Sequence, residues 1–406
     1  MTQENPTPSG PARLFGPEML ADPYPVYHHL RSTDPVHWHE PLNVWVLTRY
    51  ADVTAMLHDP HGSSDRTRSA QAQAPPELQE LFSFRSNAMH NADPPRHTRL
   101  RTLVSKAFTP AAVERLAPFI QKEVDAAVDA ALARGGMDVI NDIAYPLPVT
   151  VIAHLLGVPR EDRDQLKKWC DDITATLGNV MANLRPEDFR QANQSTRELN
   201  AYFRRIIAEG RGRSRDDLLT AMAKAEEQGD HLSEAELFAN AVLLLNAGHE
   251  TTTNLIGNGS WALLRFPDQR RRLGQDPSLA HPAIEEFLRF ESPVQFTSRL
   301  LTADVAVGGK TLRAGQLALV LLGAANRDPA RFADPDRLDV GRADNKHVAF
   351  GVGPHFCLGA PLARLEVRIV LETLLRRLPG FRLDGPEPQY RDNFNLRGLK
   401  ALKVAF

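Results

Sequence analysis

The decapeptide Phe350-Gly351-Val352-Gly353-Pro354-His355-Phe356-Cys357-Leu358-Gly359 constrains this chain more than any other stretch. It holds one of only two cysteines among 406 residues, in a loop with three glycines. Glycines there permit φ > 0 and the close approach of a flat ligand. The following Pro361-Leu362-Ala363-Arg364-Leu365-Glu366-Val367 reads as a helix opening with proline in its first turn. A thiol at a helix N-terminus faces free N–H groups and the positive end of the helix dipole, which favour thiolate. Such a thiolate is a nucleophile or a metal ligand. A lone cysteine is more often a small buried residue without chemistry, so the remaining pattern has to decide.

Length alone would allow two or three average domains, but no repeat or linker divides the chain. A single domain over 13–406 is expected, behind a polar, proline-bearing tail at 1–12 that reads as disordered. The net charge of −2 argues against wholesale nucleic-acid binding. Cys170 and Cys357 form no disulfide framework, which points to a reducing cytoplasm. The N-terminus has neither a charged leader nor an apolar h-region. The most apolar run, 237–248, is 12 residues long and interrupted by Asn240 and Asn246, against the roughly 20 that a membrane span needs. A soluble protein is expected.

In chain order, Asp22-Pro23 opens a short helix through Arg31. Val44–Leu47 reads as a strand, and Tyr50 to His58 as a helix. From His61 to Asn91 the sequence is polar and reads as a long loop, of the kind that forms a lid. His97 and Arg101 lie four apart on the next helix and share a face; alone they would be a solvated basic helix start. Thr109-Pro110 caps a helix to about Gly135, and Cys170 lies among further helices as an ordinary free thiol. Ser233-x-x-Glu236 is a capping box opening a long helix from 234 to 264. Within it stands Ala247-Gly248-His249-Glu250-Thr251-Thr252-Thr253, where glycine and three β-branched residues weaken the helix. The Thr251 hydroxyl can bond back to the Ala247 carbonyl, and an acid beside a hydroxyl at a loosened turn suggests a proton route. Glu286 and Arg289 share a face of a helix from 281 to 290. Residues 293–302 read as extended, Gly308-Gly309 as a hairpin turn, 316–322 as a buried strand, and 361–378 as a helix stopped by Gly380. The fold class is mainly α with small β-sheets.

The decapeptide resembles the haem-ligand loop of cytochrome P450s, Phe-x-x-Gly-x-His/Arg-x-Cys-x-Gly, without departure. Ala247–Thr251 is similar to that family's Ala/Gly-Gly-x-Asp/Glu-Thr motif, and Glu286-x-x-Arg289 to its Glu-x-x-Arg. The resemblance runs along nearly the whole chain and is strongest to the soluble bacterial branch. It implies a triangular prism with a long central helix over haem b. It implies Cys357 as the axial iron ligand, with the Leu358 and Gly359 N–H groups donating to its sulfur. His97, Arg101, Arg299 and His355 would neutralise the haem propionates, and Ala247, Phe350 and Gly359 would line the haem. Glu250 and Thr251 would deliver protons during oxygen activation. Glu286, Arg289 and Arg337 would form a buried structural network. The candidate substrate pocket is Phe84, Met89, Leu243, Leu244, Val294, Phe296 and Phe394. The implied reaction inserts one oxygen atom of O₂ into a C–H bond or alkene of a mainly apolar small molecule, such as a polyketide or terpenoid. Electrons would pass from NAD(P)H through a ferredoxin reductase and a ferredoxin, which Arg364 and Arg368 could receive; a cytoplasmic monomer is implied. An H₂O₂-driven peroxygenase and a non-enzymatic haem-thiolate sensor are the alternatives, and the intact acid–alcohol pair disfavours both.

Overall fold

A 32-residue helix, Glu234–Arg265, runs through the middle of the molecule. Its start is set by the capping box: Ser233 Oγ accepts from the Glu236 N–H at 3.2 Å, and the Glu236 carboxylate accepts from the Ser233 N–H at 3.0 Å. Nearly every residue from Glu236 to Leu263 is buried, polar ones such as Asn240, Asn254 and Asn258 included, so the helix is enclosed on all sides. Helices Pro146–Leu155, Ala280–Phe290 and Ala360–Arg377 pack around it. This computed structural model describes residues 14–66, 76–176, 185–210, 217–227 and 229–406. The expected tail at 1–12 lies outside them.

On one side lies a five-stranded sheet, in the order 36–39, 44–47, 317–321, 296–301, 62–63. Strand 317–321 runs parallel to 44–47 and antiparallel to 296–301, with Ala318 opposite Arg299. The alternation of strand side chains decides which of residues 296–301 look inward at the site. The expected hairpin forms as Val305–Val307 and Lys310–Leu312, with Gly308 and Gly309 at φ of 57° and 81°. Strands 136–138, 382–383 and 403–405 make a smaller sheet.

The expected helix boundaries hold to within two residues for 234–265, 280–290 and 360–377. The polar stretch 61–91 differs: within it Gln79–Asn87 is a helix. Leu81 and Phe84, three apart, bury one face of that helix, and the Leu81 N–H donates to Asn193 Oδ1 at 3.0 Å. Three apolar residues, Leu81, Phe82 and Phe84, among Gln, Glu, Ser, Arg and Asn leave too little periodicity to see in sequence. Part of that stretch, 67–75, lies outside the described residues. Among the described residues, no helix is long and apolar enough to cross a membrane.

Candidate active site

A cavity of about 370 Å³ opens between the cysteine loop and the central helix. Cys357 and Phe350 stand on one wall, and Ala247, Gly248, Thr251 and Thr252 on another. The loop is shaped by its own backbone bonds, Cys357 N–H to Phe350 O at 2.9 Å and Phe356 N–H to Gly353 O at 3.1 Å. Gly353 sits at φ +75°, where a Cβ would also stand 3.1 Å from the Leu57 carbonyl oxygen. Both the left-handed backbone and the close approach demand glycine. Burial pushes the Cys357 thiol up, while the N–H groups of Gly359 and Ala360 and the charges of Arg101 and Arg364 pull it down. Burial is the larger effect, and the helix-terminal N–H groups oppose it in the expected direction; Gly359 is one of the two expected donors, and Ala360 joins it where Leu358 was expected.

On the central helix the Thr251 hydroxyl donates to the Ala247 carbonyl at 2.8 Å, as expected. Gly248 faces open space, since a Cβ there would meet nothing within 4 Å. Glu250 does not join Thr251 on the cavity wall. One residue of helix turns it by about 100°, and its carboxylate lies 3.6 Å from the Arg391 guanidinium. Burial raises the Glu250 pKa, Arg391 opposes the rise, and Asp171 adds to it. Asp171 in turn accepts from the Tyr145 hydroxyl at 2.9 Å. A polar cluster therefore leads from the cavity helix toward the surface, behind the threonine.

His97, Arg101, Arg299 and His355 all line the cavity. The His97 and His355 rings are 4.0 Å apart. Burial lowers the His355 pKa to about 3, helped by His97 and Arg299, and lowers that of Arg299 to about 10. Arg66, His90, Thr297 and Glu366 also line the cavity, and sequence reasoning missed all four. Thr297 and Arg299, two apart on one strand, share a face, which was a findable signal. His90 and Arg66 lay in a stretch read as loop.

Of the expected pocket residues, Met89, Leu243, Leu244 and Val294 line the cavity, whereas Phe84, Phe296 and Phe394 do not. Phe296 points to the opposite face of its strand from Thr297. There it meets Phe15 at 5.9 Å, and Phe394 meets the same ring at 5.7 Å. Phe84 is buried behind His90, ring centroids 6.4 Å apart.

Glu286 and Arg289 are fully buried and bonded twice, Nε to Oε2 and Nη2 to Oε1, both at 2.8 Å. Arg337 is not the third charge. Its side chain is 65% exposed and reaches only Asp339, at 3.6 Å. Arg337 contributes its carbonyl oxygen, which accepts from Arg289 at 3.2 Å. The second guanidinium on Glu286 belongs to Arg342, at 3.1 Å. Arg364 is likewise committed, to Glu285 at 2.7 and 2.8 Å, while Arg368 is exposed.

A family model described as Cytochrome P450 matches residues 36–400. Cytochrome P450 monooxygenase PikC of Streptomyces venezuelae is 42% identical over 415 residues, covering 99% of this chain and 96% of that protein. Cytochrome P450 107B1 of Saccharopolyspora erythraea is 45% identical over 372 residues, 89% of each. The crystal structure of P450BioI, in complex with an acyl carrier protein ligated to hexadec-9Z-enoic acid, superposes with a TM-score of 0.89. It is 37% identical, covering 96% of this chain and 99% of that one.

Proposed function

This chain belongs to the cytochrome P450 family, and from that premise we propose that it oxidises a mainly apolar small molecule and that the Cys357 sulfur would bind the iron of its haem. The haem b of this family, with O₂ and electrons from NAD(P)H through redox partners, supplies the insertion of one oxygen atom into substrate while the other leaves as water. The single observation that carries the assignment is the cavity itself. It sets one cysteine sulfur across from a helix turn with a free-standing glycine and a threonine hydroxyl, within a basic wall. These residues fit a flat, dianionic cofactor. Among the described residues, no group of three or more His, Cys, Asp and Glu could hold a bare ion instead.

In this reading His97, Arg101, Arg299 and His355 hold the two carboxylates. The Gly359 and Ala360 N–H groups donate to the sulfur and temper its basicity. Thr251 holds water by the cavity, its hydroxyl proton spent on Ala247 so that its oxygen accepts. Glu250, oriented by the Arg391 guanidinium, would resupply that water with protons from the side of Asp171 and Tyr145. Met89, Leu243, Leu244 and Val294 exclude bulk water and hold the substrate by apolar contact. A polyketide substrate is supported by the likeness to the Polyketide biosynthesis cytochrome P450 PksS of Bacillus subtilis, 36% identical over 401 residues; a terpenoid is the other class the apolar pocket would take. Ferredoxin, with its reductase, is the proposed donor. An open groove over Thr98, Arg101, Thr102, Ser105 and Pro354 shares His97 and Arg101 with the cavity, and such a partner would dock there. We place the protein in the cytoplasm as a monomer with one catalytic domain over 13–406.

Two measurements test this. Cys357→His should abolish the red-shifted Soret band of the reduced CO complex; if the band persists, the thiolate is elsewhere. NAD(P)H, ferredoxin and reductase should support product formation. Turnover with H₂O₂ alone would identify a peroxygenase, and failure of both a sensor.

A further inference from the structure

Arg66 carries the furthest inference. It stands in the cavity wall beside Arg299, although no motif in the sequence includes it. Its position is fixed by bonds to Ser298 Oγ at 2.8 Å and Asn91 Oδ1 at 3.0 Å, with weaker ones to Thr297 Oγ1 and the Ser298 carbonyl, both at 3.4 Å. Thr297 lies on the inward face of the strand that carries Arg299, so both guanidinium groups converge on one end of the cavity.

The charges at that end can be counted. Among the described residues the wall carries three guanidinium groups, Arg66, Arg101 and Arg299. Behind the wall, Asp93 accepts from the Ser64 N–H at 2.8 Å and from the Ser63 hydroxyl. It is the acidic group whose field reaches Arg66, Arg299, His97 and His355. Three guanidinium groups gathered in one buried wall repel one another unless an anion meets them, and the two carboxylates of the cofactor would do so.

We infer that Arg66 is a third arginine holding the carboxylates of the cofactor, alongside Arg101 and Arg299. The inference rests on the haem reading above. It adds that the end of the cavity lined by Arg66, Arg101 and Arg299 faces the cofactor's carboxylates, leaving the apolar end to the substrate. A planar fork pinned by Ser298 and Asn91 also positions its N–H groups before the cofactor arrives, which lowers the ordering cost of binding.

The test measures haem release from the loaded protein to an excess of apomyoglobin, for wild type, Arg66→Lys, Arg66→Gln and Arg66→Leu. Gln keeps a hydrogen-bonding group for Ser298 and Asn91 without the charge, and Lys keeps the charge without the fork. Arg66→Gln and Arg66→Leu should release haem about 10–100-fold faster, the loss of one charge-assisted bond. Arg66→Lys should stay within a few-fold of wild type. Apoprotein melting should separate Gln from wild type little. If Gln releases haem at the wild-type rate, Arg66 is a structural residue and the inference fails. It fails equally if release is unchanged while the spectral shift with hexadec-9Z-enoic acid is lost, which would assign the guanidinium to a substrate anion. If Leu does not fold, the Lys and Gln pair decides. The CO spectrum of each variant reports Cys357 separately, so a wild type without the red-shifted band would sink the haem-thiolate reading rather than this one.

Discussion

At the residue scale, adjacent side chains on one helix have separate duties. Thr251 faces the cavity and Glu250 faces Arg391, so their substitutions should fail differently. Thr251→Ala removes the group that orders water at the cavity. It should keep substrate binding and reduction while diverting NAD(P)H consumption into H₂O₂. Glu250→Gln breaks the supply behind it and should slow oxidation by roughly 10²–10⁴-fold, the usual worth of general acid assistance, with less diversion. Product formed per NAD(P)H, with peroxide assayed in parallel, separates the two; unchanged coupling in Thr251→Ala would mean that another group supplies the protons. Gly353 makes a sharper case at the same scale. Its φ of +75° and the Leu57 carbonyl at 3.1 Å from a would-be Cβ leave no room for a side chain. Gly353→Ala should lower stability by about 1–3 kcal/mol and weaken haem retention, read by thermal melting and the Soret band.

At the element scale, the ion pairs around the cysteine loop tie helix Ala280–Phe290 to the segments that follow. Glu286 carries Arg289 and Arg342, whereas Arg337 lends only its carbonyl. Arg289→Ala would strand a fully buried carboxylate and should cost about 3–5 kcal/mol, giving little haem-loaded soluble protein. Arg342→Ala should cost about 1.5–3 kcal/mol, and Arg337→Ala should fall within about 0.5 kcal/mol of wild type. A large loss in Arg337→Ala with none in Arg342→Ala would restore the motif's assignment. The neighbouring Glu285 joins the same helix to the helix after the cysteine. Burial raises its pKa, but hydrogen bonds from Arg364 and His347 outweigh that and hold it down to about 2. A carboxylate depressed in the fold stabilises it fully above its unfolded pKa of about 4.3. That stability is lost as pH falls from there toward 2. Denaturation midpoints should therefore fall over that window in wild type, and less steeply in Arg364→Ala.

At the scale of the whole molecule, the two ends of the chain are laced through one buried cluster. Arg397 donates to the Leu20 and Ala21 carbonyls at 3.0 and 2.9 Å and is paired with Glu291, against which Tyr24 also donates, at 3.1 Å. Arg397→Ala should destabilise the molecule by about 3–5 kcal/mol, and proteolysis near residue 20 should become faster; wild-type resistance there would show that the lacing carries no load. The sequence alone determined the parts whose information is local. The decapeptide around Cys357, the Ser233 capping box, the Thr251 back-bond to Ala247 and the Glu286-x-x-Arg289 pair each depend on spacings within a few residues. The capping box, the back-bond and the Glu286–Arg289 pair form as expected, and residues of the decapeptide line the cavity. Only the tertiary structure decided the rest, because those choices depend on which distant segments meet. The strand pairing turned Thr297 inward and Phe296 outward. The long connection after the sheet brought Arg342 rather than Arg337 to Glu286. Packing of the C-terminal loop gave Glu250 its partner in Arg391, and the folding of 62–66 and of 76–91 carried Arg66 and His90 into the cavity wall. Those contacts join residues tens to hundreds of positions apart. A hydrophobic pattern with a period of two or 3.6 residues holds no record of them.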